Sequence, residues 1–165
     1  MGRRKKIGVI ELNESVFVSD PSYGTNTRFN CTMDIISGKY NVFITKSEGS
    51  FDKDRITNLF IIHQDFYKGN SGYKQQPKND RENLYCYVDS GTCGIFDKKY
   101  FEKHHIENDV DNEWYDANVM ANCYEDYVIT DGLGVFSISG WGDGRYPIYA
   151  EYKDGKAFAI RINFL

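Results

Sequence analysis

A chain of 165 residues has the usual size of one domain and can bury a hydrophobic core without help from disulfides or metals. Its formal net charge of −4 argues against the broad basic field with which generic DNA- and RNA-binding proteins attract phosphates. Aromatic residues make up 16% of the chain, and this surplus favours half-buried β-strands over helix interiors. We therefore expect a basic, flexible N-terminus over residues 1–6 and a single β-rich domain over residues 7–165.

The first strands are predicted between Ile7 and Ser19, where apolar residues flank the polar run ELNES, as in two short strands joined by a turn. Asp20-Pro21 ends the second strand, because Pro fixes its own φ and pushes the preceding residue to extended geometry. Asp20 should therefore be held at a strand end, where its carboxylate is free to accept hydrogen bonds.

Further strands are predicted by residue pattern. Residues 39–46 alternate, so that successive side chains lie on opposite faces of a strand. Residues 55–63 and 84–89 are rich in β-forming residues. Between them, residues 68–82 are polar, contain Gly and Pro, and are predicted to form an exposed loop.

Two short helices are predicted later in the chain. Asp97 should cap the first, over residues 97–105, because its carboxylate can accept hydrogen bonds from the free backbone N–H groups of the first turn. A weaker pattern predicts the second helix over residues 113–123. His104 and His105 lie at the end of the first helix and are expected to be solvated rather than bound to a metal.

The C-terminal segment predicts a β-hairpin. Its residues 154–155 are Asp-Gly, which supply the positive φ angles of a two-residue type I′ turn. Counting outward places Glu151 opposite Phe158 and Tyr149 opposite Ile160. The elements together predict a mostly β (α+β) fold: an antiparallel β-sandwich or partly closed barrel with one or two short helices and a C-terminal hairpin.

The four cysteines do not form the pattern of a dense disulfide framework. They lie far apart and lack the Cys-x-x-Cys spacing of a zinc ribbon, so buried free thiols are expected at Cys31, Cys86, Cys93 and Cys123. No secretory signal pattern is present, and no apolar run approaches the ~20 residues that cross a bilayer. We therefore expect a cytoplasmic protein that does not bind a membrane.

Two Gly-rich polar turns are candidate binding loops. Residues 139–144 (SGWGDG) place three Gly around a Trp and an Asp, so backbone N–H groups could converge on an anion or a partner surface; the alternative is an irregular turn whose Trp covers a sheet end. Residues 88–97 (VDSGTCGIFD) place Asp89 and Ser90 at a strand end, where they could act as general base and nucleophile. Because neighbouring residues on a strand point to opposite faces, we favour a local turn.

Established catalytic and metal-binding templates do not fit the chain. It has no Gly-x-Ser-x-Gly elbow. Cys93 would need a polarised His nearby to act as a nucleophile. Asp109-x-Asp111-x-Glu113 lacks the Gly that an EF-hand loop requires, because Trp114 occupies that position. We expect no metal and no cofactor.

Four segments together resemble a known family. In chain order they are VSDPSY at 18–23, SGKY at 37–40, VDSGTCGIFD at 88–97 and SGWGDG…YP at 139–147. In these segments the chain resembles a poorly characterised family of small bacterial and phage proteins, catalogued as a domain of unknown function. The resemblance covers nearly the whole chain, is most specific in the last segment, and implies a shared fold and a shared set of polar turns without an established activity.

If these turns meet in space, the resemblance implies one ligand-binding pocket. Its expected lining residues are Asp20, Tyr23, Asp89, Ser90, Trp141, Asp143 and Tyr146. Carboxylates brought together there would shift their pKa values or gather a cation.

The predicted function is that of a non-enzymatic binding protein, a phage or bacterial accessory or inhibitor protein that recognises another protein or a small ligand. The missing catalytic templates and the aromatic surplus favour this interpretation. Two alternatives are open: a small hydrolase or nucleotide-processing enzyme that uses Asp89, Ser90 and Asp143, and an acidic nucleic-acid mimic built on residues 107–126.

Overall fold

The structure is a computed structural model that describes residues 2–25, 28–68, 84–105 and 113–165. The strands of these residues are, in chain order, β1 (Arg3–Leu12), β2 (Ser15–Ser19), β3 (Cys31–Asp34), β4 (Gly38–Lys46), β5 (Ile56–His63), β6 (Leu84–Val88), β7 (Thr92–Asp97), β8 (Tyr127–Thr130), β9 (Gly134–Ile138), β10 (Gly144–Lys153) and β11 (Lys156–Asn163). The helices are α1 (Lys98–His104) and α2 (Glu113–Asn118), with short 3-10 helices at Gln64–Phe66 and Met120–Asn122.

Every predicted strand is present, but β1 begins at Arg3 rather than Ile7, and β3, β7, β8 and β9 were not predicted. The second predicted helix, over residues 113–123, ends early and continues as the second 3-10 helix. The loop predicted over residues 68–82 lies outside the described residues except for Lys68, and the acidic stretch lies outside them over residues 107–112.

The strands form two antiparallel sheets. One sheet has six strands in the order β1-β4-β5-β11-β10-β6, and the other has five in the order β3-β2-β7-β9-β8. Neither sheet closes into a barrel within the described part of the chain. The prediction of a mostly β, antiparallel sandwich with two short helices is therefore confirmed.

A hydrophobic core fills the space between the two sheets. It contains buried side chains from the facing sides of both sheets. The alternation predicted for β4 is confirmed, since Tyr40, Val42 and Ile44 point into this core, whereas Phe43 packs with Phe60 on the opposite face. The loops at the ends of the sandwich are thus attached to strands whose inward side chains pack in this core.

The two helices cover the outer face of the five-stranded sheet. Three Phe side chains of that face pack against Phe101 of α1 and Trp114 of α2. Asp97 caps α1 as predicted, because its Oδ1 accepts a hydrogen bond from the backbone N–H of Tyr100 at 3.1 Å. Its Oδ2 accepts a second from the N–H of Asn13 at 2.9 Å, which ties the helix start to the β1–β2 turn.

The C-terminal hairpin has the predicted turn and a different register. Residues 154–155 have φ angles of 52° and 79°, which fit a type I′ turn. Beyond the turn, however, Glu151 pairs with Ala159 and Tyr149 pairs with Arg161, each one residue past the predicted partner. The predicted register is wrong because a β-bulge interrupts the ladder between Glu151 and its neighbour.

The bulge has a packing role. Ala157 faces the core between the sheets, whereas Ala159 lies in the cluster on the outer face of the six-stranded sheet. On a regular strand, residues that are two positions apart share a face. The extra residue of the bulge therefore reverses the alternation, and Ala157 and Ala159 lie on opposite faces. The extra residue, Phe158, stacks on Phe66 with ring centroids 4.4 Å apart, which seals the outer cluster.

The N-terminal basic residues are part of the sheet, in contrast to the flexible terminus expected for residues 1–6. Residues 3–6 begin β1 and pair with residues 43–46 of β4. The guanidinium carbon of Arg4 lies 4.6 Å from the ring centroid of Phe43 and 5.4 Å from that of Phe60. Backbone pairing and these cation–π contacts hold the segment in place.

A disulfide corrects the expectation of free thiols. Cys86 on β6 and Cys93 on β7 are bonded to each other, and both side chains are buried. The bond joins the two sheets, because β6 belongs to the six-stranded sheet and β7 to the five-stranded sheet. Cys31 is a buried free thiol, as expected, whereas Cys123 is free but exposed. A nucleophilic role for Cys93 is excluded while the bond is intact.

Candidate functional site

Asp20 is the centre of the candidate site and is fully buried. Its Oδ2 accepts hydrogen bonds from the backbone N–H groups of Asp89 and Ser90, both at 2.7 Å. Its Oδ1 accepts from the N–H of Ser22 and from the hydroxyl of Ser90, again at 2.7 Å. The carboxylate at the strand end thus accepts hydrogen bonds, as predicted, and all four donors come from the protein itself.

A third loop joins the same assembly through Asp143. The Oδ1 of Asp143 accepts a hydrogen bond from the N–H of Gly91 at 3.0 Å. The carbonyl oxygen of Gly91 accepts from the N–H of Ser139 at 2.9 Å. Three segments distant in sequence, residues 20–23, 89–91 and 139–143, are therefore held together, and we call them the loop cluster.

The hydroxyl of Ser90 takes part in several hydrogen bonds within the protein. Its hydroxyl contacts the Oγ1 of Thr92 at 2.7 Å in addition to the carboxylate of Asp20, and it also bonds the side chain of Tyr115 on α2. The carboxylate beside Ser90 is thus that of Asp20 rather than Asp89. Three backbone N–H groups and the Ser90 hydroxyl already donate hydrogen bonds to that carboxylate, which is fully buried.

The Gly-rich loop of the cluster, residues 139–143, packs against Tyr146 and β5. The buried Tyr146 donates its hydroxyl hydrogen bond to the carbonyl of Gly142 at 2.8 Å. Gly140 has a φ of 69°, and a Cβ at this position would lie 2.2 Å from the carbonyl oxygen of Ile56. Any other residue there would displace the loop from β5. Tyr146 therefore positions the loop from inside and does not line its surface.

Acidic and aromatic side chains form the exposed surface of the loop cluster. Asp89 and Asp143 are exposed, and Trp141 is 57% exposed. The guanidinium carbon of Arg55 lies 3.9 Å from the Trp141 ring centroid, and an Arg55 N–H donates to the carbonyl of Gly140 at 2.9 Å. This cation–π contact orients the exposed indole.

Tyr23 lies in the electrostatic field of the cluster carboxylates. Burial raises the pKa of its hydroxyl, and the charges of Asp20, Asp89 and Asp143 raise that pKa further. The phenol therefore stays protonated at neutral pH and can donate a hydrogen bond. The structure thus brings together every residue that the sequence nominated, with Asp20 and Tyr146 inside and the others towards the surface.

Two aromatic contacts beside the loop cluster were not predicted from the sequence. The Phe29 ring lies between Tyr23 and Tyr87, with centroid distances of 5.7 Å and 5.3 Å. The guanidinium of Arg145 lies 3.7 Å from the Tyr85 ring centroid. The alternation of LYCYV on β6 signals that its two Tyr side chains share a face, and the structure places that face outside the core.

His105 anchors the segment that follows Asp20. Its imidazole is buried, in contrast to the expected solvation, and stacks on Phe101 with centroids 3.6 Å apart. One ring nitrogen lies 2.8 Å from the carbonyl oxygen of Pro21, and the other lies 2.9 Å from that of Phe101. Burial lowers the pKa of His105, although the two carbonyl contacts oppose this effect.

The free energy of unfolding is expected to fall as the pH drops below about 6.5, because the unfolded chain then binds a proton that buried His105 resists. The contribution of neutral His105 to the free energy of unfolding is fully present above the pKa that this residue has in the unfolded chain. It is lost as the pH falls through the lower pKa that His105 has in the folded protein. Urea unfolding at about pH 7.5 and about pH 5.5 measures the loss. Since other groups also titrate, His105→Gln should show a smaller loss; an equal loss in both proteins would contradict the assignment.

The described residues contain no group of three or more His, Cys, Asp and Glu side chains arranged to hold a metal ion. None of the helices in these residues is long and apolar enough to cross a membrane. Comparisons of the chain with family models, curated proteins and solved structures give no match. The family resemblance drawn from the four sequence segments stays a prediction.

Proposed function

We propose that the chain is a non-enzymatic binding protein, a phage or bacterial accessory or inhibitor protein, that recognises a partner protein through the loop cluster. The observation that carries the proposal is the way Asp20 and Asp143 hold the 89–91 turn. This network fixes three loops before any partner arrives, and preorganised loops lower the entropic cost of binding.

The exposed side chains of the loop cluster define the chemistry of the partner. Two carboxylates, Asp89 and Asp143, stand beside the phenol of Tyr23 and the exposed indole of Trp141. Trp and Tyr are common anchors of protein interfaces, and exposed carboxylates attract Lys and Arg side chains. We therefore propose a partner that presents a basic group to this surface.

The alternatives are less well supported. The hydrolase alternative needs a general base beside Ser90, and the carboxylate at that position is buried with four donors from the protein. The nucleic-acid mimic needs a continuous acidic surface over residues 107–126. Within its described part, Asp126 is neutralised by an ion pair with Lys46.

A cytoplasmic location is part of the proposal, and the disulfide weighs against it. Disulfides persist mainly in oxidising compartments, whereas cytosolic thiols are usually kept reduced. Cys86 and Cys93 are both buried, which protects their bond from a reductant in solution.

A triple variant removes the exposed groups of the loop cluster: Asp89→Asn, Trp141→Ala and Asp143→Asn. It is expected to weaken partner binding by at least about 2 kcal/mol, roughly 30-fold. Proteins from a bacterial lysate retained on the immobilised wild-type chain supply the partner, and titration calorimetry measures its affinity. The wild-type affinity should also fall with added salt, since opposite charges meet at the interface.

The matched control removes two exposed carboxylates and one exposed aromatic ring elsewhere: Glu11→Gln, Asp34→Asn and Tyr124→Ala. This control should bind like the wild-type chain, and circular dichroism should show that both variants are folded. Equal losses in the two variants would place the binding surface elsewhere. Failure of the wild-type chain to retain any protein would overturn the proposal.

A further inference from the structure

A cavity of about 460 Å³ opens at the end of the sandwich where β4 leads into β5. Its wall comes from β1 and β4 of one sheet, from the connection over residues 47–54, and from residues 126–127 at the start of β8 in the other sheet. The volume falls within the range of small-molecule pockets, about 300 to 1,000 Å³. None of its lining residues belongs to the loop cluster.

Cationic side chains occupy core-facing positions in this cavity. Arg3 and Lys5 lie two residues apart on β1, so they share a face, and Lys5 pairs with Ile44, whose side chain points into the core. The side of the sheet that is otherwise apolar therefore carries two cations where the sandwich opens. Lys46 and Lys53 also line the cavity.

Most of these cations lack a carboxylate partner. Lys46 forms an ion pair with Asp126, whereas Arg3, Lys5 and Lys53 form no ion pair with any described residue. The cavity is lined by four basic and three acidic side chains, which gives it a formal charge of +1 in a chain whose net charge is −4. Strand pairing fixes the backbone of Arg3 and Lys5, so both side chains extend from the same face of β1 beside the cavity.

We propose that this cavity binds the phosphate group of a phosphorylated small molecule. A guanidinium can bind two phosphate oxygens at once, and the flanking ammonium groups supply charge. The apolar side chain of Ile44 and the ring of Tyr127 form walls for the organic part of the molecule. This proposal does not depend on the proposed function, because it uses different residues.

The test follows amide resonances by NMR while inorganic phosphate or phenyl phosphate is added at constant ionic strength. Saturable shifts are expected for residues 44–48 and 126–127, with tighter binding of phenyl phosphate because it also contacts the apolar walls. The Lys5→Gln/Lys53→Gln variant should raise the dissociation constant for phenyl phosphate at least about tenfold. Both side chains are exposed, so their replacement should leave the fold intact.

Lys156→Gln is the control, because Lys156 is an exposed cation at the tip of the C-terminal hairpin. Its affinity for phenyl phosphate should match that of the wild-type chain. Two results would overturn the proposal: chemical shifts that do not saturate, or an equal loss of affinity for phenyl phosphate in the control and the double variant. Either result would show that the cations of the cavity do not form a specific phosphate site. Equal affinities for the two probes would overturn the assignment of an organic phosphate.

Discussion

Replacing Asp20 with Ala is expected to lower the free energy of unfolding by about 3 to 5 kcal/mol, a large share of the stability of an ordinary domain. The substitution leaves three backbone N–H groups and the Ser90 hydroxyl without their acceptor. Because Asp20 is fully buried, water cannot replace the carboxylate without opening the site. Urea unfolding followed by circular dichroism measures the change.

Two further variants test whether the carboxylate network is responsible. Asp20→Asn keeps the shape but retains only one acceptor oxygen, so it should lose less stability than the Ala variant. Asp89→Asn alters an exposed side chain and should change the free energy of unfolding by less than about 0.5 kcal/mol. A loss below about 1 kcal/mol for Asp20→Ala would mean that the three loops do not depend on this residue.

Replacing both Cys86 and Cys93 with Ala is expected to lower the free energy of unfolding by about 2.5 kcal/mol or more. The bond closes a short loop with a sequence separation of 7, and removing it restores conformational entropy to the unfolded chain. The truncated side chains also leave space in the core, which adds to the loss. Unfolding titrations of the oxidised wild-type chain and the double variant provide the comparison.

Unfolding of the wild-type chain in the presence of a dithiol reductant separates the loss of the cross-link from the loss of core packing. Reduction breaks the bond but keeps both sulfur atoms, so its loss should be smaller than that of the double Ala variant. The intact mass of the protein purified without reductant should be about 2 Da lower than after reduction. An unchanged mass would show that the two thiols are free and would remove the basis of the prediction.

Local sequence patterns predicted β1, β2, β4, β5, β6 and the two strands of the C-terminal hairpin, because strand alternation and turn chemistry act over a few residues. The Asp-Gly pair at residues 154–155 set the hairpin turn, and the Asp-Pro pair placed Asp20 at a strand end. The register failed because the bulge at Phe158 depends on packing against Phe66, which is distant in the chain. Local patterns carry no information about such a contact.

The candidate site shows the same division between local and long-range information. The residue types at positions 20, 89 and 143 marked the turns, but Asp89 and Ser90, which donate hydrogen bonds to Asp20, lie 69 and 70 residues away. Whether these turns meet depends on which strands pair and in which register. The Cys86–Cys93 bond was missed for a related reason, because short separation on its own does not show that two strands face each other across a core.

The position of β1 at an edge of the described six-stranded sheet bears on the pairing of this strand with other molecules. An edge strand offers unpaired backbone groups to any other extended chain, and a cluster of cations discourages identical molecules from pairing there. Residues 3–6 are all basic and alternate between the two faces, so a second copy would meet positive charge on either side. Their repulsion has its longest range in dilute buffer and is screened in concentrated salt.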